Sequence, residues 1–168
     1  MIFKFLSKNF YISFSIVSLI YFLDRLCKIY VIQLDKNNLG SDIFNSAYLN
    51  IVLIWNKGIA FGLFSFNESY FYNIISLVIA IIIIVLVIMS LKSQGFKKYS
   101  LLMIIGGALG NLYDRIFFNA VPDFIDFHIG NFHWFIFNVS DIFITLGVVS
   151  MIIVELIDKD KYNHDKNI

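Results

Sequence analysis

Four aspartates stand in or beside strongly apolar stretches of this sequence, where a carboxylate is unusual. Asp24, Asp114 and Asp141 lie within such stretches, and Asp123 follows Asp114 by nine residues, directly after Pro122. Two carboxylates held a few Å apart share a proton, because ionising both is unfavourable. Such a pair offers a base that can take a proton from an attacking water and an acid that can protonate a leaving amine. This is the chemistry of aspartic peptidases, which uses no metal, no cofactor and no side-chain nucleophile.

Other catalytic patterns are missing from the sequence. The histidines His128, His133 and His164 do not have the HExxH spacing of a membrane metalloprotease, and no GxSxG motif occurs. His128 and His133 lie near Phe127 and Trp134, so we interpret them as interfacial anchors. The single cysteine excludes an intramolecular disulfide and a cysteine metal cluster. The sequence therefore predicts neither a metal nor a cofactor.

The composition indicates what must position the acids. The chain has 168 residues, of which 59% are hydrophobic and 15% are charged, and its mean hydropathy is +0.78. These values lie outside the usual balance of soluble proteins. The formal charge of +1 also excludes a nucleic-acid binder that neutralises phosphates. We therefore predict an integral membrane protein built as a single domain over residues 1–168.

Four apolar stretches are long enough to cross a hydrocarbon core, which takes roughly 20 helical residues. They run over about 10–30, 71–91, 99–117 and 134–156. Lysines cluster before the first stretch, between the second and third, and after the fourth. By the positive-inside rule we predict a mainly α-helical membrane fold of four transmembrane helices with both termini cytoplasmic. The segments 31–70 and 118–133 then lie on the outer face.

The outer segment 44–66 mixes β-branched, aromatic and polar residues, with Gly58 and Gly62 as turn or bulge candidates. This pattern predicts a small β-structured cradle or arm between helices 1 and 2. The alternative is an irregular loop on the bilayer surface. The tail 158–168 is polar, and we predict that it is disordered.

The intramembrane acids match in depth. Counted from the predicted cytoplasmic end of its helix, each of Asp24, Asp114 and Asp141 lies 16 or 17 residues along. At a rise of about 1.5 Å per residue they reach roughly 24 to 26 Å, near the outer boundary of the core. Gly106 and Gly110 are four residues apart and allow the third helix to approach a neighbour closely. Acids at one depth predict a shared polar site.

Amide side chains accompany the acids at helical spacing. Asn111 lies three residues before Asp114 and four before Arg115, so the three share one helix face. Asn138 likewise lies three residues before Asp141. Each amide can donate to a carboxylate. The alternative is that these polar residues only hold the helices together.

Five blocks of this sequence resemble the bacterial lipoprotein signal peptidases, also called signal peptidase II. The blocks are DRLCK at 24–28, NKGIAFG at 56–62, GGALGNLYDR at 106–115, VPDFIDF at 121–127 and FNVSD at 137–141. They occur in the family's order and span nearly the whole chain. Gln often stands in that family where this chain has Arg25.

The resemblance implies an aspartic endopeptidase that removes the signal peptide from diacylglyceryl-modified prolipoproteins, cutting just before the lipid-modified cysteine. It makes Asp123 and Asp141 the catalytic pair. The resemblance further assigns supporting or substrate-binding roles to Asp24, Lys28, Asn56, Gly58, Asn111, Asp114, Arg115 and Asn138. It places the protein in the bacterial inner membrane, with the active site near the outer face and with prolipoproteins and membrane lipids as partners. We expect a monomer.

A proton-coupled transporter is the alternative from another class, since intramembrane acids also serve as proton relays. It predicts acids near the bilayer midplane and a repeat between the two halves of the chain. The sequence has neither feature. A scaffold whose polar residues merely join helices is a further alternative, and it predicts that the aspartates can be replaced without loss of activity.

Overall fold

The computed structural model describes residues 8–37, 43–58 and 69–166, and within these ranges the chain forms four helices and a four-stranded sheet. The helices are α1 (Lys8–Asn37), α2 (Ser69–Lys92), α3 (Gly95–Phe118) and α4 (Val139–Lys166). The strands are β1 (Phe44–Asn45), β2 (Leu49–Asn56), β3 (Val121–Ile129) and β4 (Phe132–Phe137).

The helices present apolar side chains to their surroundings. Segments within α1, α2, α3 and α4 are each long and apolar enough to cross a membrane. α2 shows this most clearly, because Leu77, Ile81 and Ile84 are each more than half exposed. Such a surface is unfavourable in water and suits a lipid environment, where the backbone of a helix is satisfied internally.

Helix α3 is the centre of the bundle and packs against α1, α2 and α4. Its glycines permit close contact: an added Cβ at Gly106 would lie 2.9 Å from Ile20, and one at Gly107 would lie 2.5 Å from the carbonyl oxygen of Ser140. A Cβ at Gly110 would collide with the Ser140 hydroxyl and the Asp24 carboxylate. Small residues thus bring the polar groups of α1 and α4 against α3.

The antiparallel sheet lies where α1 and α3 end and α2 and α4 begin. Its order is β1-β2-β3-β4. Gly130 stands in the turn between β3 and β4 with φ +59°, a conformation that glycine adopts without Cβ strain. The chain then passes directly from β4 into α4, so the sheet and the first turn of α4 are held next to each other.

The predicted architecture of four membrane helices with a small sheet is confirmed, and two boundaries were wrong. The predicted fourth span began at 134, but β4 occupies Phe132–Phe137 and the helix starts at Val139. A short apolar run does not distinguish a strand from a helix. The tail, expected to be disordered from 158 onward, is helical as far as Lys166, since extending an existing helix adds one hydrogen bond per residue.

The predicted strand structure of segment 44–66 is present in β1 and β2. Positions 59–66, which include Gly62, lie outside the described residues. The hairpin of β3 and β4 was not predicted, because its residues were divided between an outer connection and the fourth span. The sheet therefore draws strands from both connections of the predicted outer face.

Candidate active site

Asp123 and Asp141, named here the acid pair, lie where β3 meets the beginning of α4. Asp123 is on β3 and is only 4% exposed. Its Oδ2 accepts a hydrogen bond from the Asn56 amide at 2.9 Å, and its Oδ1 accepts one from the Asn138 amide at 2.6 Å. Both carboxylate oxygens are thus held by neutral donors from β2 and from the β4–α4 junction.

Asp141 is held by the same kind of donor in the first turn of α4. Its Oδ1 accepts from the Asn111 amide at 2.8 Å, and its Oδ2 accepts from the Asn138 backbone N–H at 3.1 Å. In return, Asn138 Oδ1 accepts from the Asp141 backbone N–H at 3.2 Å. This reciprocal exchange resembles a capping box, which fixes the start of a helix. Asn138 therefore contacts both members of the acid pair.

The electrostatics of Asp123 favour its protonated form. Burial is the main cause that raises the pKa of this carboxyl from 3.8 to about 6. The negative charge of Asp141 raises the pKa further, whereas the amides of Asn56 and Asn138 and the charge of Lys28 lower it. A carboxyl whose pKa is raised towards neutrality beside a second carboxyl is the arrangement that proton sharing requires.

A second group of charges, named here the charged cluster, consists of Asp24, Arg25, Lys28 and Asp114 and joins α1 to α3. Lys28 is fully buried, and its Nζ lies 2.9 Å from Asp24 and 2.7 Å from Asp114. Arg25 binds both oxygens of Asp114, with Nη1 at 2.6 Å and Nη2 at 2.8 Å, and its guanidinium lies 4.9 Å from the Tyr113 ring. Every charge in the cluster thus has an opposite charge in contact.

Lys28 connects the charged cluster to the acid pair. Its Nζ donates to Asn111 Oδ1 at 2.8 Å, which leaves the NH2 group of that amide to point at Asp141. An amide has one acceptor end and one donor end, so fixing the first orients the second. Asp24 makes another connection, since its Oδ1 accepts from the Ser140 backbone N–H at 2.9 Å in the first turn of α4. A negative charge at this position also complements the helix dipole.

The structure brings together most of the residues that the sequence singled out. Gly58 contributes its backbone N–H, which donates to Asn56 Oδ1 at 2.9 Å and thereby turns the amide of Asn56 toward Asp123. Arg115 is more remote: its Nη1 donates to the Asn111 backbone carbonyl at 3.2 Å rather than to a carboxylate.

Arg25 is a contributor that sequence reasoning missed. It was noted only as a departure from the related sequences, yet it binds Asp114 through both of its terminal nitrogens. The available signal was its position, because an arginine beside an aspartate inside a predicted membrane span needs a partner.

An apolar groove of about 410 Å³ opens beside Asp141. It runs along α4 and the β3–β4 hairpin. Its lining residues are Phe127, Trp134, Phe135, Phe137, Asp141, Ile142, Thr145 and Leu146. A groove of this composition suits a lipid or an apolar peptide segment, and it brings either one next to a carboxylate.

Known proteins are similar to this chain in sequence. The family model for signal peptidase (SPase) II matches residues 16–157. A lipoprotein signal peptidase of Pelagibacter ubique is 49% identical over 160 residues, covering 95% of this chain and 96% of that protein. The lipoprotein signal peptidase of Anaplasma phagocytophilum is 42% identical over 84% of this chain and 89% of its own length.

Solved structures agree with these matches. One structure, described as a bacterial membrane enzyme, superposes with a TM-score of 0.72 at 30% identity and covers 89% of this chain and 90% of its own. A second, of the same description, has a TM-score of 0.71 at 32% identity and covers 86% of this chain. Together with the membrane-spanning helices, these matches make the protein a multi-pass membrane peptidase, and the chain belongs to the signal peptidase II family.

Proposed function

We propose that this protein is an aspartic endopeptidase that removes the signal peptide from diacylglyceryl-modified prolipoproteins, cutting on the N-terminal side of the lipidated cysteine. The observation that carries the proposal is the acid pair, two carboxylates joined through Asn138 and held otherwise by neutral amides. The names of the related proteins support the choice of substrate.

The proposed reaction uses one ionised and one protonated member of the acid pair. The ionised carboxylate takes a proton from water as the water oxygen attacks the scissile carbonyl carbon, and the protonated member donates its proton to the carbonyl oxygen. A tetrahedral diol results. When it collapses, one hydroxyl of the diol gives its proton to the carboxylate that is then ionised, the protonated member gives its proton to the leaving nitrogen, and the C–N bond breaks. The pair therefore again holds one proton, on the same member as at the start.

The supporting residues act through position. Asn56, Asn111 and Asn138 hold the carboxylates without neutralising them, whereas a cation in direct contact would favour double ionisation. The charged cluster fixes Asn111 through Lys28. Preorganised donors of this kind need no rearrangement during the reaction.

The lipid part of the substrate contributes to positioning. We place the termini in the cytoplasm and the sheet and acid pair near the outer face of the bacterial inner membrane, following the lysine distribution. Acyl chains in the outer leaflet would then enter the apolar groove beside Asp141, and lipid anchoring would hold the scissile bond at the depth of the acids. Both carboxylates belong to one chain, so a single copy supplies the whole acid pair, and we propose that the enzyme acts as a monomer.

A gel-shift assay on the purified protein in detergent tests the proposal. Wild type, Asp123→Asn and Asp141→Asn are incubated with a diacylglyceryl-modified prolipoprotein and with its unmodified form. We expect wild type to cleave only the lipidated form and both variants to lose detectable cleavage, because general acid and base contributions each reach about 100- to 10,000-fold. Glu155→Gln is the matched control, since this exposed carboxylate pairs with Lys97 away from the acid pair and its loss should leave cleavage unchanged.

The outcomes separate the alternatives. Near-normal cleavage by either aspartate variant would contradict the catalytic assignment and favour the scaffold. A folded wild type that cleaves neither substrate would favour the proton-coupled transporter.

A further inference from the structure

Three metal-ligating side chains converge on one face of the β3–β4 hairpin. Asp126, His128 and His133 each offer a ligand atom, and these atoms lie within 4.8 Å of one another. His133 Nδ1 is 2.9 Å from Asp126 Oδ2. His128 and His133 are cross-strand partners whose rings stack at 4.8 Å with an interplanar angle of 16°. The register of the hairpin therefore sets the spacing of the two imidazoles.

His128 provides an independent sign of an absent ligand. The residue is 9% exposed, which contradicts its interpretation as an interfacial anchor. Its Nδ1 is buried and has no hydrogen-bond partner among the described residues. A buried imidazole nitrogen normally has a partner, because leaving it unpaired after desolvation is unfavourable. Coordination of a metal ion would satisfy a free ring nitrogen of this kind.

The cluster is separate from the acid pair. Between the register positions Asp126 and His128 on β3, the partner strand advances from Ile136 to His133, so the extra residue of the irregularity lies on β4. Side chains therefore alternate regularly along β3, and Asp123 lies on the opposite face from Asp126 and His128. A ligand bound by the histidines would not occupy the proposed catalytic site.

We propose that Asp126, His128 and His133 bind a divalent transition-metal ion, with Zn²⁺ as the best match. Two imidazoles and one carboxylate suit Zn²⁺, with a fourth position left for water, whereas Mg²⁺ and Ca²⁺ prefer oxygen ligands. Bonds of about 2.0–2.2 Å require ligand atoms roughly 3–4 Å apart. The His133–Asp126 pair at 2.9 Å is close to this range, and atoms up to 4.8 Å apart would have to approach by side-chain rotation when the ion binds.

The surroundings orient the carboxylate. The Asn50 amide donates to Asp126 Oδ2 at 3.2 Å, as the partner of a metal-bound carboxylate would. Since Asn50 is on β2, a bound ion would tie β3 to β4 directly and to β2 through this hydrogen bond. The site would thereby stabilise the hairpin that leads into Asn138 and Asp141.

Isothermal titration calorimetry on the full-length protein in detergent, purified with a histidine-free tag, tests the site. With Zn²⁺ as the probe, we expect one ion per chain for wild type. His128→Ala and His133→Ala should each weaken binding by at least about tenfold, since each removes one of three ligands. His164→Ala is the matched control and should bind as wild type does. Mg²⁺ should give no saturable binding.

A spectroscopic measurement keeps the proposal testable if a variant folds poorly. Wild type loaded with Cu²⁺ should show nitrogen hyperfine coupling from two imidazoles in electron paramagnetic resonance, and His133→Ala, which alters a half-exposed side chain, should reduce the coupling to one. Absence of saturable Zn²⁺ binding by wild type would overturn the proposal. Binding that is lost in His164→Ala but unchanged in His128→Ala and His133→Ala would also overturn it.

Discussion

The acid pair and the charged cluster are neighbours, but their carboxylates are stabilised in opposite ways. Asp24 and Asp114 contact Arg25 and Lys28 at 2.6 to 3.3 Å. Asp123 and Asp141 instead accept hydrogen bonds from the neutral amides of three asparagines and from one backbone N–H. The charge of the donors therefore distinguishes the two groups of carboxylates.

The acid pair and the charged cluster therefore suit different roles. Each carboxylate of the cluster contacts a cation, and removing one partner of a buried ion pair leaves the other charge uncompensated. Carboxylates held by amides remain able to exchange protons near neutral pH, as the raised pKa of Asp123 indicates. The cluster therefore suits a structural brace, and the pair suits acid–base chemistry.

Replacing Asp114 should have the largest effect on stability. Asp114→Asn removes the carboxylate that Arg25 and Lys28 share, and we expect the free energy of unfolding to fall by about 3–5 kcal/mol. Chemical denaturation in detergent measures the change. The double variant Arg25→Gln/Asp114→Asn is the control, because removing a cation together with the anion should be less destabilising than the sum of the single changes. Additive losses would contradict a charge-coupled brace.

Asp123 should make the free energy of unfolding decrease as the pH rises. Because its pKa is raised from 3.8 to about 6, the folded state holds the proton more tightly than the unfolded state does. This stabilisation is complete below about pH 4 and is lost as the pH rises through 6, amounting to about 3 kcal/mol at most. Chemical denaturation of Asp123→Asn from pH 4 to 7 should not show this decline in the free energy of unfolding. Glu155→Gln should retain it, and an unchanged decline in Asp123→Asn would contradict the raised pKa.

Asn138 allows the positioning of the pair to be separated from the stability of α4. Serine is also a good N-cap, so Asn138→Ser should keep the bond from the Asp141 backbone N–H while losing the amide that donates to Asp123. We expect kcat/KM for prolipoprotein cleavage to fall about 10- to 100-fold with the unfolding midpoint nearly unchanged, because one hydrogen bond to a charged group is lost. Asn138→Ala should lower both quantities. Full activity of the serine variant would show that the Asp123 contact is dispensable.

An exposed ion pair provides the smallest expected effect. Lys97 and Glu155 lie 2.9 Å apart between α3 and α4, and their side chains are 35% and 68% exposed. Solvent screening makes such pairs weak, so Lys97→Ala should change the free energy of unfolding by less than about 1 kcal/mol. The same denaturation assay checks this. A loss as large as that of Asp114→Asn would mean that burial does not distinguish the two kinds of ion pair.

The sequence predicted the helices better than the strands. Long apolar runs identified the membrane-spanning segments, and equal depth correctly predicted that Asp24 and Asp114 lie close, as their common partner Lys28 shows. The hairpin of β3 and β4 was missed, because only the four residues 138–141 separate the apolar residues 134–137 from the apolar residues of α4, and a short apolar run does not distinguish a strand from a helix. Only pairing with β3 makes them a strand.

Some contacts of the candidate site could not be predicted from local sequence patterns. Helical spacing predicted that the side chains of Asn111 and Asn138 would each donate to a carboxylate, and both do. However, Asn111 donates to Asp141 rather than to Asp114, and the side-chain amide of Asn138 donates to Asp123 rather than to Asp141. The bonds from Arg25 to Asp114 and from Ser140 to Asp24 cross 89 and 116 residues of sequence. No periodicity encodes such separations.

The sequence by itself determined the membrane character, the helices and the acids that they carry, because hydropathy and helical spacing are local properties of the chain. The tertiary structure decided which acids are neutralised by cations and which are held by amides. It also decided that His128 and His133 stack across a hairpin. Burial and neighbouring charge set the proton affinity of a carboxyl, and both depend on residues distant in sequence that packing around the glycines of α3 brings into contact.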